Sequence, residues 1–156
     1  MRRYINSVNK ILIVNSSSGN LIKSSLKNLN TLNSIYMLRT EQNSNFSYFL
    51  KKKKIKYKFL NSKTNEKLSD DILNYALKVK CDYIVLIFNK ILVGKILKVY
   101  KRRIFNLHPS YSLKFNGLHA DKKLKKSDYK YIGSCFHHVI SKVDSGKIIR
   151  KFKILK

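Results

Sequence analysis

A short segment of the chain combines a carboxamide, an imidazole and the only proline. Asn106 and His108 stand two residues apart in the segment Ile104–Ser110, IFNLHPS. Residues two apart in a strand point to the same face, so their side chains should lie side by side. Pro109 cannot continue a central strand, so His108 is expected at its end, where open α/β sheets bind ligands. The same spacing also fits a histidine that caps a strand through a satisfied hydrogen bond.

A second group of polar residues lies near the C-terminus. His137 and His138 are adjacent in an alternating run, so one should face the site and the other should face away from it. Asp144 is the only carboxylate after Asp128, in a turn-like Val-Asp-Ser-Gly segment. It is a candidate acid or base, although an aspartate in such a turn commonly binds its own backbone. The four histidines lack cysteine or glutamate at metal-ligand spacing, so we predict no metal site.

The remaining pattern predicts the elements that would hold these side chains. Apolar and alternating runs predict strands at Lys10–Asn15, Ser34–Arg39, Ile55–Phe59, Tyr83–Phe88, Ile104–Leu107, Ser134–Ile140 and Lys147–Ile154. Helical spacing predicts helices at Leu21–Leu29, 69–80 and Lys95–Tyr100, while Asn43–Leu50 is compatible with a short helix. In the helix at 69–80, Ser69 is expected as the N-cap, with Asp70 and Asp71 in the first turn. The alternation predicts one α/β domain, a Rossmann-like, mainly parallel sheet flanked by helices.

The charge is extreme: 34 basic residues against 8 acidic ones give a net charge of +26. Clustered lysine and arginine would indicate a nucleic-acid binder. Here the excess is mostly lysine, is spread along the chain, and accompanies many Asn, Ile, Tyr and Phe, which favours a bias of codon composition. We expect nonspecific attraction of RNA and anionic substrates rather than a specific nucleic-acid site.

Composition also gives expectations about membrane spans, secretion signals and cellular location. No apolar run approaches the length of a membrane span, and the apolar run Ile11–Val14 is too short for a signal peptide. Cys81 and Cys135 are isolated, so we expect a reducing, cytoplasmic location. The sequence makes no prediction about oligomeric state.

Three blocks together resemble a known family. NLHPS (Asn106–Ser110), KFNGLHA (Lys114–Ala120) and GSCFHHVISKVDSGKII (Gly133–Ile149) occur in the order and spacing of the folate-dependent formyltransferases, and among them phosphoribosylglycinamide formyltransferase. The segment Asp82–Leu92 is similar to the strand and folate-site loop of that family. The resemblance runs from about Lys10 to Ile149 and implies the formyltransferase fold.

The resemblance implies roles for the polar residues. Asn106 and His108 would bind the formyl oxygen, Asp144 would assist proton transfer, and His137 would support Asp144. The formyl donor would be 10-formyltetrahydrofolate, the acceptor would be the amine of 5'-phosphoribosylglycinamide, and no metal would be needed. An oxyanion stabilised by amide and imidazole donors is consistent with this chemistry.

Two binding regions follow from the same resemblance. The folate pocket would comprise Phe88, Lys90, Ile91, Leu92, Leu118, Ile140 and Val143. The substrate phosphate would bind at the first strand-to-helix turn, Ser17, Ser18, Gly19 and Asn20, where backbone N–H groups at a helix N-terminus can hold an anion.

The sequence departs from the family pattern in several places. The first turn is shorter and has one glycine, and Lys90 replaces a usual arginine. Ser112-Leu113 stands where Leu-Pro is usual, and Asn116 replaces another usual proline. The resemblance also implies that residues 1–156 form a formyltransferase domain without its usual C-terminal part, so we expect weak binding of the phosphate. Two alternatives stay open, a methionyl-tRNA formyltransferase-like enzyme and a non-catalytic binding protein with the same fold.

Overall fold

The computed structural model describes residues 9–26, 34–111, 123, 126–128 and 130–155. Within these residues the strands are β1 (Ile11–Asn15), β2 (Ile35–Arg39), β3 (Lys56–Phe59), β4 (Tyr83–Ile87), β5 (Ile104–His108), β6 (Tyr131–His138) and β7 (Ile148–Leu155). The helices are α1 (Asn20–Leu26), α2 (Ser44–Lys52), α3 (Asn65–Val79) and α4 (Lys95–Val99). The ambiguous segment after Asn43 is therefore a helix, and the Asn43 side chain accepts a hydrogen bond from the Phe46 amide at its start.

All seven described strands form one sheet in the order β3-β2-β1-β4-β5-β6-β7. The first five are mutually parallel, whereas β6 pairs antiparallel with β5 and β7 antiparallel with β6. The predicted α/β fold with a mainly parallel sheet is confirmed. Strand order reverses between β1 and β4, so a crevice opens there at the carboxyl ends of the strands.

The central strands direct apolar residues to both faces of the sheet, because successive residues point to opposite sides. Leu12 and Val14 of β1 join one apolar cluster with residues of α3 and α4, while Ile13 joins a second cluster with residues of α1 and α2. Two helices therefore cover each face. Among the described residues, no helix has the length and apolar character needed to cross a membrane.

The prediction that Ser69 caps the third helix is wrong. Helix α3 begins at Asn65, and its N-cap is Thr64, which has extended backbone angles and accepts a hydrogen bond from the Lys67 amide at 3.2 Å. The acidic residue of the first turn is Glu66, so Asp70 and Asp71 lie further along the helix. Thr64 precedes a run without helix breakers, so the helix starts one turn earlier than the apolar periodicity indicates.

Ser69 instead holds the loop that follows β4. Its buried hydroxyl donates to the Asn65 carbonyl at 2.7 Å and accepts from the Val93 amide at 2.9 Å. At the other end of this loop, the buried Ser16 hydroxyl accepts from the Asn89 amide at 2.9 Å. The loop from 88 to 94 is thus tied to the rest of the domain at both ends.

We expect Ser69→Ala to lower the free energy of unfolding by about 1 kcal/mol, the net contribution of one hydrogen bond, because the Val93 amide loses its acceptor. Urea denaturation measures this change, and amide exchange at Val93 should accelerate. The matched control is Ser25→Ala on the exposed side of α1, which should stay within about 0.5 kcal/mol of the wild type. Equal effects of the two substitutions would contradict the role given to Ser69.

Candidate active site

Antiparallel pairing of β5 and β6 places three of the predicted polar residues on one face of the sheet. Asn106 lies directly opposite His137, and His108 lies opposite Cys135. His138 faces the other side, where its ring packs on Phe105 with 4.9 Å between centroids. Strand alternation thus separates the two adjacent histidines as the sequence predicts.

Asp144 completes a compact polar cluster with these residues. One carboxylate oxygen, Oδ2, lies 3.6 Å from His108 Nδ1, and the other, Oδ1, lies 3.7 Å from His137 Nε2. The Asn106 Nδ2 atom lies 3.4 Å from the same His137 Nε2. Both imidazoles are buried, and the Asp144 side chain is 10% exposed. The structure therefore brings together all four residues that the sequence analysis named as catalytic candidates.

A backbone carbonyl fixes the tautomer of His137. The His137 Nδ1 atom lies 2.9 Å from the carbonyl oxygen of His138. A carbonyl can only accept, so Nδ1 carries the hydrogen and, in the neutral ring, Nε2 presents its lone pair to the cluster. Burial lowers the pKa of His137 more than the His138 carbonyl and the Asp144 carboxylate raise it. The ring is therefore neutral at pH 7 and can accept a proton at Nε2.

The loop between β6 and β7 positions Asp144. Asp144 has a φ of 47°, in the left-handed region that aspartate tolerates better than most residues. Two residues later, a Cβ at Gly146 would collide with the His138 carbonyl oxygen, so glycine allows the loop to approach β6. The His138 amide in turn donates to the Lys147 carbonyl at 3.0 Å. The loop thus returns Asp144 to the two histidines.

The carboxamide oxygen of Asn106 and the thiol of Cys135, opposite His108, also bear on the chemistry of the cluster. The Asn106 Oδ1 atom is buried and has no hydrogen-bond partner among the described residues. Burial raises the pKa of the Cys135 thiol to about 11, so this cysteine stays protonated and is a poor nucleophile. Proton transfer and hydrogen bonding through Asn, His and Asp are the reactions that the cluster can support.

A narrow first cavity of about 50 Å³ opens beside the cluster. Its lining includes all the described residues predicted for the folate pocket: Phe88, Lys90, Ile91, Leu92, Ile140 and Val143. Asn106, His137 and Asp144 line it as well. Leu118, which was also predicted for the pocket, lies outside the described residues. The loop after β4 and the loop after β6 are its two walls.

A second cavity of about 600 Å³ shares one lining residue, Phe88, with the first cavity. It occupies the crevice between β1 and β4 and is lined by Ser16, Ser17, Leu21, Ile87, Phe88, Asn89, Leu107, Pro109, Gly133 and Ser134. Of the four residues predicted to bind phosphate, only Ser17 is among them. The other three, Ser18, Gly19 and Asn20, follow it in the same turn and the first residue of α1.

Hydrogen bonds make this turn compact. The Ser17 hydroxyl donates to Asn15 Oδ1 at 2.8 Å and lies 3.4 Å from the Gly19 amide, which donates to it. Gly19 has a φ of 81°, and a Cβ there would meet the Phe46 ring, so both backbone and space require glycine. A single glycine therefore suffices for the short turn.

Sequence reasoning missed several residues that line the cavities. Leu86 and Val139 line the first cavity, and Ser16, Leu107 and Pro109 line the second. Strand alternation was the available signal for Leu107, because its side chain must face away from Asn106 and His108. No comparable pattern marked Ser16 as a lining residue, since its position depends on the packing of β1 beside β4.

Comparison with known proteins adds two groups of relatives. The chain is 32% identical over 110 residues to formyltetrahydrofolate deformylase 1, mitochondrial, of Arabidopsis thaliana, covering 70% of this chain and 33% of the relative. It is 30% identical over 95 residues to phosphoribosylglycinamide formyltransferase of Haemophilus influenzae, covering 60% of this chain and 45% of the relative. The chain thus spans about a third of the length of the first of these curated relatives.

Solved structures of both groups share the fold. Phosphoribosylglycinamide formyltransferase from Streptococcus pneumoniae superposes with a TM-score of 0.82 at 20% identity, over 96% of this chain and 83% of that one. A formyltetrahydrofolate deformylase from Pseudomonas syringae gives 0.78 at 18% identity, over 96% and 52%. The fold alone therefore does not distinguish the two groups.

The family model described as formyl transferase matches residues 13–155, which include every described strand except the first two residues of β1. The polar cluster and both cavities lie within this match. The chain belongs to the formyl transferase family.

Proposed function

We propose that the protein transfers the formyl group of 10-formyltetrahydrofolate to the amine of 5'-phosphoribosylglycinamide. The observation that carries the proposal is the cluster of Asn106, His108, His137 and Asp144, three of which line the first cavity. The second cavity shares Phe88 with the first and includes Leu107 and Pro109, the sequence neighbours of His108. A donor in one cavity and an acceptor in the other would meet at that cluster. We also propose that residues 1–156 act as one formyltransferase domain.

The folate would enter through the first cavity, which must widen to accept it. Ligand pockets usually measure about 300–1,000 Å³, whereas this cavity measures about 50 Å³. A third cavity of about 720 Å³ lies next to it and shares the lining residues Val139, Ile140 and Ser141. A small outward shift of these three residues would join the two spaces. The apolar side chains Leu92 and Leu97 then offer surfaces for the folate rings.

The acceptor would lie in the second cavity, whose 600 Å³ suits a phosphorylated sugar with an amide arm. Ser16 and Ser17 at one end of the cavity belong to the turn that we propose to hold the phosphate, together with Ser18, Gly19 and Asn20. Leu107 and Pro109 at the other end flank His108 in sequence. The acceptor amine would therefore reach the cluster around the carboxyl end of β5, where His108 lies.

The reaction forms a bond between the acceptor nitrogen and the formyl carbon and breaks the bond to N10 of the folate. Negative charge develops on the formyl oxygen in the tetrahedral intermediate. The Asn106 amide and the His108 imidazole would donate hydrogen bonds to that oxygen. The long 3.4 Å contact of Asn106 Nδ2 with His137 is easily exchanged for a bond to the substrate.

Two proton movements complete the transfer. The attacking amine loses a proton after bond formation, and N10 gains one as it leaves. Asp144, directly or through a water molecule, would accept the first proton and return it to N10. Neutral His137, 3.7 Å from the carboxylate, would hold Asp144 in place and share the proton through Nε2.

Hydrolysis of the same donor is the second candidate function, favoured by the relationship to the Arabidopsis deformylase. In that reaction water replaces the amine as the attacking group, so no acceptor cavity is needed. The 600 Å³ cavity, whose lining includes the sequence neighbours of His108, favours transfer to an amine.

An assay of tetrahydrofolate release with three acceptors tests the proposal. We expect rapid release with phosphoribosylglycinamide, and no more than the background rate with methionyl-tRNA or with water alone. Rapid release without any added amine would identify a deformylase, and preference for methionyl-tRNA would identify the tRNA enzyme. Folate binding without any release would identify a non-catalytic binding protein.

We expect Asp144→Asn to lower kcat by about 100- to 10,000-fold, the range for a general acid or base, because Asn cannot carry the proton. Asn also tolerates the left-handed backbone conformation of this position, so the fold should persist. Steady-state kinetics and circular dichroism measure both effects. Asp128→Asn, an exposed carboxylate outside the cluster, is the matched control. A rate for Asp144→Asn within a few-fold of the wild type would refute the role of Asp144.

We expect Asn106→Ala to cost about 2.7–4 kcal/mol of transition-state stabilisation, which corresponds to a loss of 100- to 1,000-fold in kcat, because one oxyanion donor is removed. The exposed Asn74 on α3 provides the control substitution Asn74→Ala. If the KM for the folate rises while kcat stays constant, Asn106 binds the ground state and does not stabilise the oxyanion.

A further inference from the structure

We propose that His108, His137 and Asp144 also form a binding site for a divalent transition metal such as Zn²⁺, and that metal bound there blocks the reaction. The metal site follows from the geometry of the three side chains. The inhibitory effect rests on the function proposed above, because it requires the same side chains to move protons during formyl transfer.

The three side chains are already arranged close to a metal-binding geometry. One donor atom from each lies within 4.8 Å of the other two. The two nitrogen-to-oxygen distances are 3.6 and 3.7 Å. Tetrahedral zinc with bonds of about 2.0–2.1 Å needs about 3.3 Å between ligand atoms. The two short contacts run to different oxygens of Asp144, so a site that uses one carboxylate oxygen requires this side chain to rotate and the ligand atoms, now within 4.8 Å of one another, to draw together. Asp144 lies in a loop between strands, where a small shift is feasible.

The lone pair of His137 points in the direction that a metal ligand requires. His137 Nδ1 donates to the His138 carbonyl, so Nε2 presents its lone pair to the Asp144 carboxylate. Two acceptors then face each other at 3.7 Å, an arrangement that a cation between them would stabilise. The bond to a backbone carbonyl also orients the ring, as it does for many metal-binding histidines.

A fourth coordination position would face the first cavity, which Asn106, His137 and Asp144 line together. The buried Asn106 Oδ1 atom has no donor among the described residues. A water molecule bound to the metal would supply a donor for this oxygen. Three protein ligands with one open position is the usual arrangement of zinc sites that retain a water.

The ligand types select the metal. Two imidazole nitrogens and one carboxylate oxygen suit Zn²⁺, Co²⁺ and Ni²⁺, whereas Mg²⁺ and Ca²⁺ prefer oxygen ligands. The net charge of +26 disfavours cations at long range, but salt at physiological strength screens this repulsion beyond about 8 Å. Metal binding would occupy both the Nε2 lone pair of His137 and the carboxylate of Asp144, so neither could take a proton.

Titration of the full chain with Co²⁺ in the absence of folate tests the site independently of activity. We expect one Co²⁺ per chain with the intense visible absorption of a tetrahedral site, displaced by Zn²⁺ and unaffected by Mg²⁺. His137→Gln and Asp144→Asn should each weaken Co²⁺ binding by at least about tenfold, the smallest effect seen when even an outer partner of a metal ligand is lost.

The control is His138→Gln, which alters the neighbouring imidazole on the opposite face of the sheet and should leave Co²⁺ binding unchanged. The proposal is overturned if the wild type shows no tetrahedral spectrum, or if the spectrum persists in Asp144→Asn, which keeps the fold. In the transfer assay, Zn²⁺ should inhibit reversibly, with activity restored by a chelator. Co²⁺ binding by a protein that transfers no formyl group would retain the metal site and refute the proposed function.

Discussion

The antiparallel pairing of β5 with β6 is the constraint on which the candidate site depends. It places Asn106 opposite His137 and directs His108 to the same face. A shift of one residue in this register would turn all of these side chains to the other face, where Phe105, Phe136 and His138 pack together. The register that packs these rings together also assembles the polar cluster on the opposite face. The aromatic stack therefore stabilises the arrangement of the cluster.

The two loops around the first cavity differ in how firmly they are held. The loop after β4 is anchored by hydrogen bonds from its backbone to the buried hydroxyls of Ser16 and Ser69. Exposure does not distinguish the two loops, since Ile91 on the first is 45% exposed and Ile140 on the second is 46% exposed. The difference lies in the two anchoring hydrogen bonds of the first loop. Asp144 lies on the second loop, so any shift of that loop would move the carboxylate.

Charge is distributed unevenly between the site and the rest of the protein. The net charge is +26, yet the cluster that the described residues form contains a carboxylate and two histidines and no lysine or arginine. The fully buried Arg39 is not part of the cluster. Its Cζ atom lies 4.7 Å from the centroid of the Phe46 ring and 4.9 Å from that of the Phe59 ring, and burial lowers the pKa of its guanidinium. We expect the general excess of lysine to act on anions only through long-range attraction, which salt screens, whereas the side chains that we propose for the chemistry are largely buried.

The sequence by itself determined the alternation of strands and helices, the position of His108 at a strand end, and the four residues of the cluster as candidates. These conclusions depend on local periodicity, on the single proline and on the order of three motifs, all of which are properties of neighbouring residues. Only the tertiary structure decided that Asp144 lies within 3.7 Å of both histidines, that a backbone carbonyl sets the tautomer of His137, and that Ser69 anchors a loop rather than capping a helix. Each of these contacts depends on the packing of separate elements or on the fold of a loop, whose geometry no local pattern encodes.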